Sequence, residues 1–302
     1  MVFENYYVYR AALWLVRRLP RGFLYALVGA AAELNFYFNG VARRGIYDNL
    51  AHVLPPETGS FVRWRFARAA FRHFAYSIVD IFQIPNLTLD NLQGYVAEIK
   101  GLEHIEACLA AGRGGILVTL HMGSWELAGV AIGLMGVPIT AAVLKHADPR
   151  IDEIFTGVRR RGGIEEVPLG GALARLDEAA ARGRFIALLA DRDVKGTGMR
   201  TEFFGDTTTV PTGHARIALR TGAWIFPAVT YRAPDHRIVI DIRPPIIPDA
   251  RVDTEEGLVV RCLRILEDFI REHPEQWSSF FNLWSRTELP VWQRYRRKRP
   301  QR

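Results

Sequence analysis

The clearest fold signal in this chain is Gly115-Ile116-Leu117-Val118-Thr119-Leu120-His121-Met122-Gly123-Ser124-Trp125-Glu126. An apolar run ends at a histidine, and a Gly-Ser pair separates the histidine from a segment of helical composition. The pattern predicts a buried strand over 115–120, a turn, and a helix from residue 125. Because ligands bind at the carboxyl ends of strands in open α/β sheets, His121 is expected at a ligand site.

The same alternation continues on both sides of this stretch. Gly112, Gly136, Gly162 and Gly183 follow predicted helix ends, where a left-handed backbone is favoured. The patterns predict helices over 102–112, 125–135, 149–161, 171–183, 212–222 and 255–273, and strands over 115–120, 138–144, 185–190, 224–231 and 237–243. Such βαβ units predict an α/β single domain with a central, mostly parallel or mixed sheet flanked by helices.

Length and composition restrict the class of protein. With 302 residues, 49% of them hydrophobic, the chain is long enough to bury one large core and is neither disordered nor fibrous. Cys108 and Cys262 lack partners at metal-ligand spacing, and we expect both to be reduced in a cytoplasmic setting. The net charge of +7 indicates anionic partners, which include nucleic acid, an acidic carrier protein and a membrane surface.

The first 58 residues combine aromatic and basic side chains. Their longest apolar run, residues 23–32, has ten residues, fewer than the roughly 20 needed to span a bilayer. Pro20 and the arginines around it also disfavour a cleavable signal. We predict that residues 1–58 form an amphipathic helical element in the membrane interface, with ordinary core-packing helices as the alternative. The basic tail 292–299 is a second candidate lipid contact, or a solvated tail.

Residues 59–82 are predicted to form a helix with an aromatic face and a basic face. A basic, aromatic helix is compatible with a nucleic-acid-binding module. However, no RNA-binding sheet signature or zinc finger accompanies it, so packing against the core or against lipid is favoured.

His121 and Glu126 are the first candidates for chemistry. On one continuous helix they would point about 140° apart, so they meet only if His121 lies outside the helix. Gly123 permits the turn, and Ser124 is a suitable N-cap residue for a helix with Glu126 in its first turn. A carboxylate in that place is expected to hold one imidazole nitrogen and leave the other to accept a proton.

Other interpretations of His121 stay open at this point. A metal site would need further ligands, and neither His-x-x-x-His nor Cys-x-x-Cys spacing occurs. A serine nucleophile would need a Gly-x-Ser-x-Gly elbow, which is absent. A structural histidine remains the plain alternative, although the strand-end position with a glycine turn favours a general base that activates a hydroxyl.

The chain resembles a known family in this motif and in six further segments. His121-x-x-x-x-Glu126 looks like the His-x4-acid motif of the bacterial lipid A biosynthesis acyltransferases and of the related phosphatidylinositol mannoside acyltransferases. The segments that also match, in order, are 100–104, 190–193, 202–205 with 211–213, 219–223 and 273–277. The likeness covers nearly the whole chain. His273-Pro274-Glu275-Gln276-Trp277 is interpreted as mainly structural, a helix stop followed by a tryptophan.

The resemblance implies an acyltransferase domain over 59–302 that transfers a fatty acyl chain from acyl-CoA or acyl carrier protein to a glycolipid hydroxyl. It implies neither a metal nor a cofactor nor a covalent intermediate. In that mechanism His121 takes the hydroxyl proton, Glu126 orients and stabilises the imidazolium, and nearby donors hold the oxyanion. The partners expected are the acyl donor, a glycolipid acceptor and an anionic membrane surface, but no nucleic acid. The protein is expected to be a monomer. It is expected to be peripheral on the cytoplasmic face of the inner or plasma membrane.

Five further residues are candidates for substrate binding. Arg159 matches a basic position of the family and is expected to grip phosphate or organise the pocket, or else to be a solvated helix-end arginine. Asp191, Arg192 and Asp193 follow a predicted strand and therefore lie at the same sheet edge as His121, unless they only pin a loop. Glu202 is a weaker match, because some family members carry the acid where this chain has Arg200. A catalytically inactive lipid-binding protein on the same fold is the main alternative function.

Overall fold

A computed structural model describes residues 5–16, 18–193 and 196–284. The chain begins with four helices, α1 (Tyr6–Val16), α2 (Arg21–Phe38), α3 (Gly40–Val53) and α4 (Ser60–Gln83). Alternating elements follow: β1 (Val96–Lys100), α5 (Leu102–Ala110), β2 (Gly115–Thr119), α6 (Trp125–Leu134), β3 (Ile139–Val143), α7 (Pro149–Arg160), β4 (Glu165–Pro168), α8 (Ala172–Ala181) and β5 (Phe185–Leu189). The last part contains β6 (Met199–Phe203), β7 (Asp206–Val210), α9 (Gly213–Thr221), β8 (Trp224–Arg232), β9 (Ile238–Ile242) and α10 (Glu255–Glu272).

Seven strands form the central sheet in the order β1-β9-β8-β2-β5-β3-β4, and β6 and β7 form a separate hairpin. Every neighbouring pair in the large sheet is parallel except β8 and β9. Those two strands are joined by a short turn, which permits only an antiparallel pairing. The predicted α/β domain with a mostly parallel sheet flanked by helices is confirmed.

The predicted elements agree with the structure to within two residues at each end, and four strands were not predicted. Of these, β1 and β4 are short edge strands with charged residues, and β6 and β7 form the polar hairpin, so none has a long apolar pattern. One glycine prediction was also wrong: Gly163, rather than Gly162, has the left-handed backbone after α7. Gly162 instead packs against Val130 of α6.

The sheet separates two hydrophobic clusters, and β2 contributes to both. Ile116 and Val118 belong to the cluster that also contains the buried faces of α9 and α10. Leu117 packs against the cluster that contains residues of α5 and α6. This alternation of side chains between two covered faces is expected for a central strand of a parallel sheet and fixes its register.

The four N-terminal helices share a core but leave large apolar residues outside. Phe36 is buried among residues of α3 and α4, and Leu24 packs with α1 and α4. In contrast, Phe38 is 85% exposed. Within the described ranges, no helix has the length and apolar character needed to cross a bilayer. The basic tail at 292–299 lies outside the described residues.

His214, which is buried, and His73, which is partly buried, are expected to make the fold acid-sensitive. Burial lowers the pKa of His214 on α9 from 6.5 to about 4, and burial together with the charge of Arg232 lowers the pKa of His73 on α4 from 6.5 to about 4 as well. Between pH 4 and pH 6.5 these histidines bind more protons in the unfolded chain than in the folded protein. The free energy of unfolding is therefore highest above pH 6.5 and falls as the pH drops toward 4. The loss is on the order of 2–3 kcal/mol per histidine by about pH 4.5.

Urea unfolding at pH 7.5 and pH 4.5 tests this prediction. The free energy of unfolding is expected to be lower at pH 4.5, and the decrease is expected to be smaller in His214→Gln, which cannot take up the proton. An equal decrease in the variant and the natural protein would show that His214 is not one of the groups responsible.

Candidate active site

His121 lies in a sharp turn between β2 and α6, outside both elements. The turn requires glycine at position 123, where φ is +55° and an added Cβ would come within 2.2 Å of the Thr230 carbonyl oxygen. The His121 side chain is 25% exposed, so it is accessible from solvent although the preceding Leu120 is fully buried. The predicted strand, glycine turn and helix are confirmed, and they place His121 at the carboxyl edge of the sheet.

Asp191 is the acid that contacts the imidazole. Its Oδ1 lies 2.8 Å from Nδ1 of His121, and its Oδ2 accepts a hydrogen bond of 3.0 Å from the His121 backbone N–H. The sheet register explains the meeting: Thr119 pairs with Leu189, and each site residue follows two positions later. The His121 ring is therefore fixed by a residue from the neighbouring parallel strand.

The charge of Asp191 is stabilised although the carboxylate is fully enclosed. Burial disfavours its ionised form, but the His121 ring and hydrogen bonds from the ring, the Trp277 indole and the His121 backbone outweigh that cost. The pKa of Asp191 is consequently below its usual value. An ionised carboxylate at Nδ1 favours the imidazole tautomer with its proton on Nδ1, which leaves Nε2 as a proton acceptor.

The prediction that Glu126 holds the imidazole was wrong, because Glu126 faces α7. Its two oxygens accept hydrogen bonds from Nε and Nη2 of Arg159, at 3.0 and 2.6 Å. The Nη1 group of Arg159 donates to Glu166 at 2.8 Å. Since α6 begins at Trp125, Glu126 is in its first turn, and that turn presents the carboxylate to the end of α7. The spacing of His121 and Glu126 in the sequence does not indicate that Glu126 points toward α7.

Arg159 is the centre of this second cluster. Its side chain is only 15% exposed, so it is not the solvated helix-end arginine of the alternative interpretation. Burial disfavours its charge, but the carboxylates of Glu126 and Glu166 outweigh this and raise the pKa of the guanidinium above its usual value. With two carboxylates bound to it, Arg159 is suited to hold α6 against α7 and β4. Phosphate binding by Arg159 would have to displace these contacts.

Trp277 contacts Asp191, although the pattern at 273–277 indicated a mainly structural role. Its indole Nε1 donates to Oδ2 of Asp191 at 3.0 Å, and it is 2% exposed. The next residue, Ser278, donates its backbone N–H to the His121 carbonyl oxygen at 2.7 Å. The match of 273–277 to the family motif was the only signal in the sequence for this role.

Arg192, Asp193 and Glu202 have different surroundings from Asp191. Asp193 accepts backbone hydrogen bonds from Gly196 and Gly198, at 3.0 and 2.7 Å, and so holds its own loop. The Arg192 guanidinium lies over the Phe281 ring at 4.9 Å. Glu202 is exposed on the β6–β7 hairpin. Their assignment to substrate binding remains a prediction.

The imidazole and carboxylate pair is suited to general base chemistry. One nitrogen is held by a buried anion, and the ring is partly open to solvent on the edge of the sheet where ligands bind. Among residues 5–16, 18–193 and 196–284, no group of three or more His, Cys, Asp or Glu side chains is arranged to hold a metal ion. The geometry is that of a His base oriented by an acid, which recurs on unrelated folds.

Comparison with known proteins gives a consistent result. The family model described as bacterial lipid A biosynthesis acyltransferase matches residues 2–286. The chain is 31% identical to the phosphatidylinositol mannoside acyltransferase of Mycolicibacterium smegmatis over 229 residues, 72% of each protein. It is 30% identical to the enzyme of the same name from Mycobacterium tuberculosis strain H37Rv over 73% of the chain and 71% of that enzyme.

A more distant relative has a lipid A name. The chain is 24% identical to the lipid A biosynthesis lauroyltransferase of Escherichia coli over 88% of the chain and 86% of that enzyme. Together with the family match over nearly all residues, these relatives show that the protein is an acyltransferase. It belongs to the bacterial lipid A biosynthesis acyltransferase family.

Proposed function

We propose that this protein transfers a fatty acyl chain from a thioester donor, acyl-CoA or acyl carrier protein, to a hydroxyl group of a glycolipid. The observation that carries the proposal is the contact between His121 and Asp191 at the carboxyl edge of the sheet. The higher identity to phosphatidylinositol mannoside acyltransferases supports a mannoside as the first acceptor to test.

In the proposed reaction Nε2 of His121 accepts the proton of the acceptor hydroxyl. The hydroxyl oxygen attacks the thioester carbonyl carbon, the new ester C–O bond forms, and the C–S bond breaks to release the thiol, which takes up the proton. The Asp191 carboxylate keeps the Nδ1 proton in place and stabilises the imidazolium that exists between these steps. Trp277 holds Asp191 in turn through its indole N–H.

The Glu126, Arg159 and Glu166 cluster supports this site from α7 and β4. It connects the first turn of α6, which directly follows the His121 turn, to two neighbouring elements. We assign it the role of holding α6 in place, instead of the direct role at the imidazole that the spacing of His121 and Glu126 suggested.

Transfer between lipid substrates is expected to occur at a membrane surface. The exposed residues Tyr37, Phe38, Val41 and Phe61 form an apolar tip where α2, α3 and α4 meet, because Trp64 packs against both Tyr37 and Phe61. Arg44 and Arg65 are exposed in the same helices. Apolar side chains flanked by arginines suit the interface of an anionic membrane, which would bring the acceptor to the site.

Vesicle binding tests the role of the apolar tip. The double variant Phe38→Ser/Phe61→Ser is expected to bind vesicles of phosphatidylcholine and phosphatidylglycerol at least tenfold more weakly, since the contact loses two exposed rings that would enter the bilayer. Val252→Ser is the matched control, because Val252 is 77% exposed but lies before α10. Equal binding by the double variant and this control, measured by co-sedimentation, would rule out the tip as the membrane contact.

Incubation of the purified protein with radiolabelled acyl-CoA and total bacterial lipid extract tests the proposed function. Label is expected in a glycolipid fraction, and purified phosphatidylinositol mannoside and lipid A precursor then distinguish the two acceptor types. Acyl carrier protein as donor is compared in parallel. Glycolipid binding without turnover with either donor would favour the inactive lipid-binding protein instead.

A further inference from the structure

A buried polar cluster joins the N-terminal helices to the turn that carries His121. The Asp80 carboxylate of α4 accepts a hydrogen bond of 2.5 Å from the Tyr25 hydroxyl of α2. It also accepts hydrogen bonds from the Ser124 hydroxyl and from the Arg232 guanidinium of β8. The side chains of Asp80 and Arg232 are 0% and 2% exposed, so these bonds are shielded from solvent.

Ser124 has an unusual role at the start of α6. It is the N-cap residue, as the sequence predicted, but its hydroxyl makes no hydrogen bond to the helix. A serine cap normally contributes about 1 kcal/mol to helix stability. Here the hydroxyl is directed to Asp80, so the beginning of α6 is attached to α4 instead of being capped by its own side chain.

Helix α4 and strand β8 also hold the rest of the turn that carries His121. The Met122 carbonyl oxygen accepts a hydrogen bond of 3.0 Å from the Thr230 hydroxyl of β8. The Gly123 carbonyl oxygen accepts one of 2.7 Å from the Ser77 hydroxyl of α4. Thus α4 and β8 fix the backbone from residue 122 to residue 124, immediately after His121.

The imidazole is linked to this arrangement through Trp125. The Trp125 and His121 rings pack edge to face with centroids 5.1 Å apart, and Trp125 directly follows Ser124. A shift of the first residues of α6 would therefore displace the Trp125 ring that packs against the imidazole. Misplacement of a catalytic group by about 1 Å can lower the reaction rate by roughly 100-fold.

We propose that Tyr25, Asp80 and Ser124 are positioning residues that set the location of His121 for acyl transfer. A buried ion pair such as Asp80 and Arg232 adds little net stability to a fold, because removing both charges from water is costly. The better attested effect of such a pair is to select one arrangement of the elements that carry it. The inference rests on the proposed function of His121 as the base. It adds that Tyr25 of helix α2 helps to position the His121 base.

The variants Ser124→Ala and Tyr25→Phe each remove one hydroxyl at Asp80 without leaving Arg232 unpaired. Ser124→Ala is expected to lower kcat about tenfold and Tyr25→Phe about threefold, with KM for acyl-CoA within twofold of the natural protein. The dependence of kcat on pH should keep its shape, because the contact between His121 and Asp191 is intact. The loss in the double variant is expected to be smaller than the product of the single losses, since both act through one carboxylate.

Thr140→Val is the matched control for simple loss of stability. Thr140 is buried on β3 and accepts a hydrogen bond of 2.7 Å from Arg184, near the amino end of the strand and away from the turn. It is expected to lower the melting temperature by a similar amount and to leave kcat unchanged. An unchanged kcat in Ser124→Ala, or equal kcat losses in Ser124→Ala and Thr140→Val, would overturn the positioning role.

The His121→Ala variant separates this outcome from failure of the proposed function. An inactive His121→Ala together with a fully active Ser124→Ala refutes positioning alone. An active His121→Ala, or a natural protein that transfers no label to the lipid extract from either acyl-CoA or acyl carrier protein, refutes the proposed function and the positioning role with it.

Discussion

Replacement of His121 by alanine is expected to lower kcat/KM for acyl transfer by about 10⁴, the upper end of what a general base contributes. The variant lacks the imidazole that lies against Asp191, and a positioned general base contributes about 10²–10⁴ in rate. The fold should survive, because the His121 side chain is partly exposed and its backbone contacts to Asp191 and Ser278 do not need the ring. The measurement is the initial rate of label transfer from acyl-CoA, with the melting temperature recorded for the same preparation.

His104→Ala is the matched control for this experiment. His104 is a partly exposed histidine of α5 and has no place in the proposed reaction. It should retain the activity of the natural protein. More than a few per cent of activity in a folded His121→Ala would refute the general base assignment, whereas an inactive His104→Ala would mean that loss of activity is not specific to the site.

Replacement of Asp191 by asparagine is expected to have the second largest effect, a loss of about 10³–10⁴ in kcat. Oδ2 of Asp191 accepts hydrogen bonds from the His121 backbone and from Trp277, so the single oxygen of asparagine is favoured there. The amide NH2 group then faces Nδ1 of His121. Because both would be donors in the active tautomer, the ring proton moves to Nε2, which can no longer accept a proton from the hydroxyl.

The comparison with Glu126→Gln distinguishes the two acids. Glu126 contacts Arg159, which keeps Glu166 when the Glu126 charge is removed, so Glu126→Gln is expected to lower kcat only about tenfold and to reduce the melting temperature. The pair of variants is measured in the same label-transfer assay as the natural protein. A nearly inactive Glu126→Gln beside a nearly active Asp191→Asn would contradict the assignment of Asp191 and restore the one that the sequence suggested.

The assignment of acids illustrates why part of the site was not predictable. Residues His121 and Glu126 are near in sequence, and that proximity suggested a contact. The distance along the chain says nothing about direction once a glycine turn separates a strand from a helix, and Glu126 is directed toward α7. Asp191 is 70 residues away, but the parallel register of β2 and β5 places it beside His121.

Local sequence patterns were sufficient for the class of fold and for the choice of His121 as the candidate base. Apolar runs of strand length, helical periodicity and glycines at helix ends are local properties, so the order of most elements and the strand-end position of His121 could be predicted from them. The groups that surround His121 are known only from the way the chain folds in three dimensions. Asp191, Trp277 and the cluster of Tyr25, Asp80 and Arg232 come from separate parts of the chain, and their meeting depends on strand order and helix packing, which local patterns do not encode.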